Sequence, residues 1–129
     1  MFYFWIKVKR RVRKTRPKVA PADLHQARLL ILSRVEFFNN QLNFKIGRIS
    51  IRNQRTRWGS CSSKGNLNFN SRLIKLPLEL VDYVVVHELC HLKQLNHSRA
   101  FWALVGEVLP NFKHLRRQLK TYHIEQLYS

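Results

Sequence analysis

The five residues His87-Glu88-Leu89-Cys90-His91, with His97 six positions further on, constrain this chain more than any other feature. Two histidines four apart project to the same side when the segment is an α-helix, offset by about 40° around its axis. Two neutral imidazoles at that spacing can bind one zinc ion. Glu88 lies beside the open side of such an ion, placed to take a proton from water rather than to ligate. Leu89 points to the core and anchors the helix. With six His and five Glu in 129 residues, a random shuffle gives the five-residue pattern in roughly one case in a hundred, and the offset of His97 lowers that about twentyfold.

The run from His87 to His97 has the spacing HExxHxxxxxH, which the metzincins share. Those enzymes place Gly in the turn before the last His, where Gln94 stands here. Asn96 is expected to serve that turn, since Asn enters the left-handed region more easily than most residues. His97 is the expected third ligand, because it falls where the helix must break before Ser98 caps its successor. Glu107 on the next helix is the alternative. His25, His114 and His123 lack partners at metal spacing and are expected on the surface.

The elements around the motif follow from periodicity. From Ala22 to Asn39, Leu24, Ala27, Ile31, Val35 and Phe38 fall on one helical face. After Gly47, Ile49 and Ile51 alternate with Arg48, Ser50 and Arg52, a half-buried strand. A polar stretch runs from Asn53 to Ser63. Lys64-Gly65-Asn66 reads as a turn in which Gly65 supplies a positive φ, and Leu67 and Phe69 alternate with Asn to give a second strand and a hairpin. Pro77 opens a helix to about Lys93. Its core face is Leu78, Val81, Val85, Leu89 and Leu92, and Val84, His87, Glu88 and His91 form the neighbouring stripe. Ser98 caps a helix from Arg99 to Leu109 that Pro110 ends; Phe101 and Trp102 are expected to hold it against the motif helix. A last helix carries Phe112, Leu115, Leu119 and Tyr122. The order gives an α+β fold: N-terminal helix, small β-sheet, motif helix and two C-terminal helices.

At this length one domain is expected, divided into a basic N-terminal arm, 1–20, and the metal-dependent domain, 21–129. The 24 Lys and Arg against 7 Asp and Glu give a net charge of +17, which suits an acidic partner. The arm holds eight cations and no acid, with a short strand expected at Phe2 to Val8. Lys9, Arg10, Arg11, Arg13 and Lys14 of the arm, and Arg48, Arg52, Arg55 and Arg57 of the body, are the candidate phosphate or nucleic-acid contacts. Two cysteines exclude a disulfide scaffold. Cys90 is expected to pack as a small apolar residue, and Cys61 either packs, takes an open metal position or responds to oxidation. No apolar run approaches a membrane span, and the start lacks the order of a secretory signal, so the expected location is cytoplasmic.

Three segments together resemble a known family: Arg57-Trp58-Gly59-Ser60-Cys61-Ser62, Tyr83 to Leu92, and Asn96 to Trp102 are similar to the YgjP-like metal-dependent hydrolases, relatives of the SprT-like and Wss-type zincin proteases. The resemblance covers about residues 22–120. It is to an N-terminally shortened member, because a basic segment of some twenty residues stands where the family usually carries a larger β-rich region. It implies a zincin-like domain with one Zn2+ per chain on His87, His91 and His97, and Glu88 as general base acting on a peptide or protein substrate. By analogy with zincin edge strands, the strand around Leu67 to Phe69 would pair with an extended substrate and leave its Asn side chains exposed. Tyr83, Arg57 and Tyr122 are unranked candidates for stabilising an oxyanion. Some members are described as nucleoside triphosphate (UTP) pyrophosphatases, which makes that reaction the alternative. A nucleic-acid-binding protein with a non-catalytic metal site is the third reading, and it leaves Glu88 without a role.

Overall fold

The apolar stripe of the first helix fixes the floor of the fold. Ala27, Ile31, Val35 and Phe38 are all buried, and helix α1 spans Pro21–Leu42. Leu24 is 39% exposed, so the buried face begins one turn later than its spacing predicts. Asn43 ends the helix with φ 54°, the left-handed C-terminal cap geometry that Asn tolerates. The Asn39 side chain then holds the exit, accepting from Phe44 N at 2.9 Å and donating to Phe44 O at 3.0 Å. This computed structural model describes residues 2–3 and 21–127.

Four strands follow one another across a single sheet in the order β1-β3-β4-β2. They are β1 (Phe2–Tyr3), β2 (Ile49–Arg52), β3 (Gly59–Cys61) and β4 (Leu67–Asn70). Gly65 takes φ +84° in the turn between β3 and β4, as its position predicts. The hairpin therefore joins β3 to β4, while β2 lies parallel to β4. The sequence pattern misses β3 because Gly59-Ser60-Cys61 shows neither alternation nor β-branched residues. Two expectations for β4 are corrected. It is an interior strand with both edges paired, so it has no free edge for a substrate. Asn70 is buried rather than exposed, because its side chain donates to Gln54 O at 2.9 Å and Arg57 O at 2.8 Å and accepts from Arg72 N at 3.0 Å.

Helix α2 spans Leu78–His91 and runs through the middle of the molecule. Every residue from Leu80 to His91 is buried except half-buried Asp82, so the helix is enclosed on all sides rather than along one stripe. Leu78 is 51% exposed and Leu92 half-buried, which shortens the predicted core face at both ends. Helix α3 (Arg99–Val108) starts at Ser98, whose hydroxyl accepts from Phe101 N at 3.3 Å, and α4 is Phe112–Leu119. Arg72 is wholly buried and donates to Ile124 O at 2.8 Å, pinning the C-terminal segment to the core. Among the described residues no helix is long and apolar enough to cross a membrane. The expected N-terminal strand is described at Phe2–Tyr3; Lys9, Arg10, Arg11, Arg13 and Lys14 lie outside the described residues.

Candidate metal centre

The end of α2 brings three imidazoles together. His87 and His91 sit one turn apart and are both fully buried. His97 comes from the connection to α3 and is exposed. Its Nε2 lies 3.0 Å from His91 Nε2 and 3.2 Å from His87 Nε2, and the ligand-capable atoms of all three lie within 4.8 Å of one another. The chain turns so sharply because the N–H groups of Lys93 and Gln94 both bond to Cys90 O, at 3.1 and 2.9 Å. Asn96 does not take the left-handed conformation expected of it: among the described non-glycine residues only Asn43 has a positive φ.

Second contacts orient the rings. His91 Nδ1 lies 3.0 Å from Gln94 O; a carbonyl can only accept, so Nδ1 carries the proton and Nε2 faces inward with its lone pair. Phe101 stacks on His91 at 4.4 Å and 17°, the holding role foreseen for it. Trp102 is half-buried and lies against His97 at 5.9 Å and 24°. Burial drives the His87 imidazole well below its ordinary range, assisted first by the neighbouring His91 and His97; partial enclosure and then the charge of Arg116 lower His97, and burial takes His91 down to about 4. All three are therefore neutral at pH 7, the form that ligates.

Glu88 faces the opposite wall. It is fully buried, and among the described residues neither carboxylate oxygen has a hydrogen-bond partner. Burial without a partner pushes its carboxyl well above the usual range. Strand β3 makes room for it. A Cβ on Gly59 would lie 3.1 Å from both Cγ and Oε2 of Glu88 and 3.1 Å from Asn68 O. The Cys61 and Cys90 thiols are buried and pushed up to about 12, chiefly by that burial, so both behave as packed apolar groups.

The donor set fits a metal. Roughly 2.0–2.1 Å bonds in a tetrahedron put ligand nitrogens about 3.3 Å apart, close to the two separations seen between His97 and its partners. Glu107 is exposed and stands outside this group, and His25, His114 and His123 are on the surface as expected. Arg48 and Arg52 are exposed on or beside β2, which β4 separates from β3. Arg55 and Arg57 are half-buried in the connection between β2 and β3. Tyr83 is buried with its ring 5.9 Å from His87, and Tyr122 is half-buried. Two residues escape the sequence reading. Gly59 matters only through strand packing. Arg116, whose guanidinium sits 4.9 Å over Trp102, comes to the centre from α4, which packs against α2.

Comparison with known proteins bears on the family and the fold. No curated protein matches the chain. The crystal structure of the metallopeptidase zymogen of Pyrococcus abyssi abylysin is 26% identical, with 70% of this chain and 92% of that one covered at a TM-score of 0.64. That of Methanocaldococcus jannaschii jannalysin, also a metallopeptidase zymogen, is 22% identical, covering 70% and 94% at 0.62; it shares the fold. A family model described as a YgjP-like metallopeptidase domain matches residues 5–122, nearly the whole chain, and the chain belongs to that family.

Proposed function

We propose that this metallopeptidase is a zinc enzyme in which His87, His91 and His97 hold one ion per chain and Glu88 is the general base for peptide hydrolysis. The observation that carries the reading is the pairing of three converging imidazoles with a buried carboxylate that has no hydrogen-bond partner among the described residues. The family implies a metal, and a three-imidazole set favours zinc among the common ions. When bound, zinc supplies Lewis acidity to the scissile carbonyl and to the attacking water.

The chain's own groups do the rest. The Gln94 carbonyl fixes the His91 tautomer, and Phe101 fixes the plane of its ring. Glu88 accepts a proton from the attacking water and delivers it to the nitrogen of the leaving amine, so the acyl carbon gains a hydroxyl and the amine gains a hydrogen. Its apolar surroundings raise its proton affinity toward working pH, which suits a group that must take and return a proton. Arg48 and Arg52, on the far side of β4, give the UTP pyrophosphatase and nucleic-acid readings no added support.

Elemental mass spectrometry of the purified full chain tests the metal, with about one zinc per chain expected. Peptide cleavage by the zinc-loaded protein, set beside Glu88→Gln, tests the base. Failure to retain zinc after incubation and removal of excess would sink the assignment, as would unimpaired cleavage by Glu88→Gln.

A further inference from the structure

His87 and His91 are fully buried and His97 is exposed, so solvent reaches the three imidazoles past His97. Half-buried Trp102 of α3 stands on that side, its ring 5.9 Å from that of His97 and 5.8 Å from that of His87. The guanidinium carbon of Arg116, also half-buried, sits 4.9 Å over the Trp102 ring. We propose that Arg116 is a catalytic residue: its guanidinium donates to the oxygen of the scissile carbonyl as that oxygen becomes an oxyanion. This rests on the metallopeptidase reading above and adds to it a group that sequence motifs do not reveal.

The cation is held for that task. Helix α4 packs against α2 with Leu115 and Leu119 buried, which fixes the backbone that carries Arg116. Trp102 is itself stacked on Phe112 at 5.5 Å and 16°, and its face gives the guanidinium a cation–π seat. The charge of Arg116 helps to depress His87 and His97, whereas Glu88 owes its raised carboxyl to burial. The guanidinium thus stands toward the His87–His97 side of the triangle. A cation beside Glu88 would hold that carboxyl ionised and weaken it as a base.

Base and cation therefore have separate work. As water adds to the acyl carbon, Glu88 takes its proton and the carbonyl π pair moves onto oxygen. Arg116 meets that charge with N–H donors and transfers no proton, since a guanidinium stays charged at any working pH. When the C–N bond breaks, the pair returns to the carbonyl and Glu88 protonates the leaving nitrogen. Donors already in place in a partly enclosed site are worth more than mobile ones in water. Tyr83, one turn before His87, is wholly buried and closed to substrate.

The test compares the zinc-loaded full chain with Arg116→Met, which keeps an aliphatic stem against Trp102. The kcat for a fluorogenic peptide should fall about 10²–10³-fold with KM held within about twofold, the pattern of a contact made only in the transition state. Zinc content should stay at the parent level. A readout independent of turnover is calorimetric binding in the Glu88→Gln background, using a phosphinic peptide and the ordinary peptide of the same sequence. Arg116→Met should weaken the tetrahedral phosphinate at least about 100-fold and the ordinary peptide less than about twofold. Arg116→Lys, which keeps a charge but loses the fork, serves if the methionine variant does not hold its fold, and it should weaken the phosphinate about tenfold. An equal loss for both peptides, or no loss for either, overturns the proposal. Undiminished peptide cleavage by Arg116→Met also overturns it and leaves the peptidase reading standing. If the parent cuts no peptide yet the phosphinate alone loses affinity, Arg116 keeps its anion contact and the peptidase reading falls.

Discussion

Asp82 and Glu88 stand six residues apart on one helix, and α2 treats the two carboxylates in opposite ways. Asp82 receives a fork from Arg34, with Nε at 2.6 Å from Oδ1 and Nη2 at 2.9 Å from Oδ2. That guanidinium is itself held over Phe37 at 4.6 Å. Glu88 is more deeply buried and has no such partner among the described residues. A charge with its partner ties two helices together. A buried carboxyl without one costs stability, and a fold keeps it where chemistry needs an unsatisfied acceptor.

The sharpest break between the two comes from removing each charge. Glu88→Gln should lower kcat by about 10²–10⁴-fold, the usual contribution of a positioned base, while zinc content stays at the parent level. Asp82→Asn should leave kcat and zinc content unchanged. Steady-state kinetics with metal analysis checks both, and equal losses of activity would erase the distinction.

The metal-free protein offers a second separation, through pH. Glu88 has its folded-state pKa raised above the ordinary 4.5, so above that pH the folded state binds more protons than the unfolded one. Stability must then fall as pH rises, and metal-free Glu88→Gln should be the more stable protein at pH 8. The gap should close as pH approaches 4.5. The histidines act in the other direction: with His91 down at about 4 against an ordinary 6.5, acid stabilises the unfolded chain and stability drops between pH 6.5 and 4. Urea melts across pH 4–8 in the presence of a chelator resolve the two slopes. Parallel curves for parent and variant would mean that the Glu88 carboxyl finds a partner in solution.

Gly59→Ala probes the strand that contacts one carboxylate and not the other. The added methyl would enter a space bounded at 3.1 Å by Glu88 Cγ, Glu88 Oε2 and Asn68 O. Backbone on one side and the proposed base on the other leave little room to yield. A cost of about 1–3 kcal/mol in stability is expected, as for other overpacked sites. The displaced carboxylate should also lower kcat by about tenfold or more. Thermal melts and kinetics on the same preparation check both. Full activity in a stable Gly59→Ala protein would show that β3 does not set the position of Glu88.

How much of this was legible beforehand depends on whether a feature is local. The stripe Ala27, Ile31, Val35, Phe38 and the His87–His91 spacing are written in helical periodicity, which needs only neighbours along the chain. The convergence of His97 on them is nearly as local, since it requires only that α2 stop at His91 and that Ser98 start α3. β3 is different. Gly59, Ser60 and Cys61 have no pattern of their own and become a strand because β4 pairs with them. The burial of Asn70 and Arg72 depends in the same way on carbonyls from segments 13 and 52 residues away, those of Arg57 and Ile124. The reading of β4 as an edge failed for this reason: strand order is a property of the whole sheet.

The smallest expected effect lies at Asp82, and it completes the comparison. Asp82→Asn leaves the Arg34 fork facing a neutral amide at a partly solvated site, where the two side chains are 14% and 23% exposed. Solvent there screens the pair and takes over some of the lost hydrogen bonding. The cost should be about 1–2 kcal/mol, between that of an exposed pair and a buried one. Arg34→Met keeps the aliphatic contact with Phe37 and Phe38 but strands the carboxylate, so it should cost as much or more. A double-mutant cycle on Arg34 and Asp82, read by denaturant midpoint, isolates their coupling. A coupling near zero would mean that α1 and α2 are joined by Ile31, Val35 and their apolar neighbours alone, and that satisfaction of Asp82 is incidental. A clear coupling with no change in kcat would show that one helix carries a structural carboxylate and a chemical one whose effects separate cleanly.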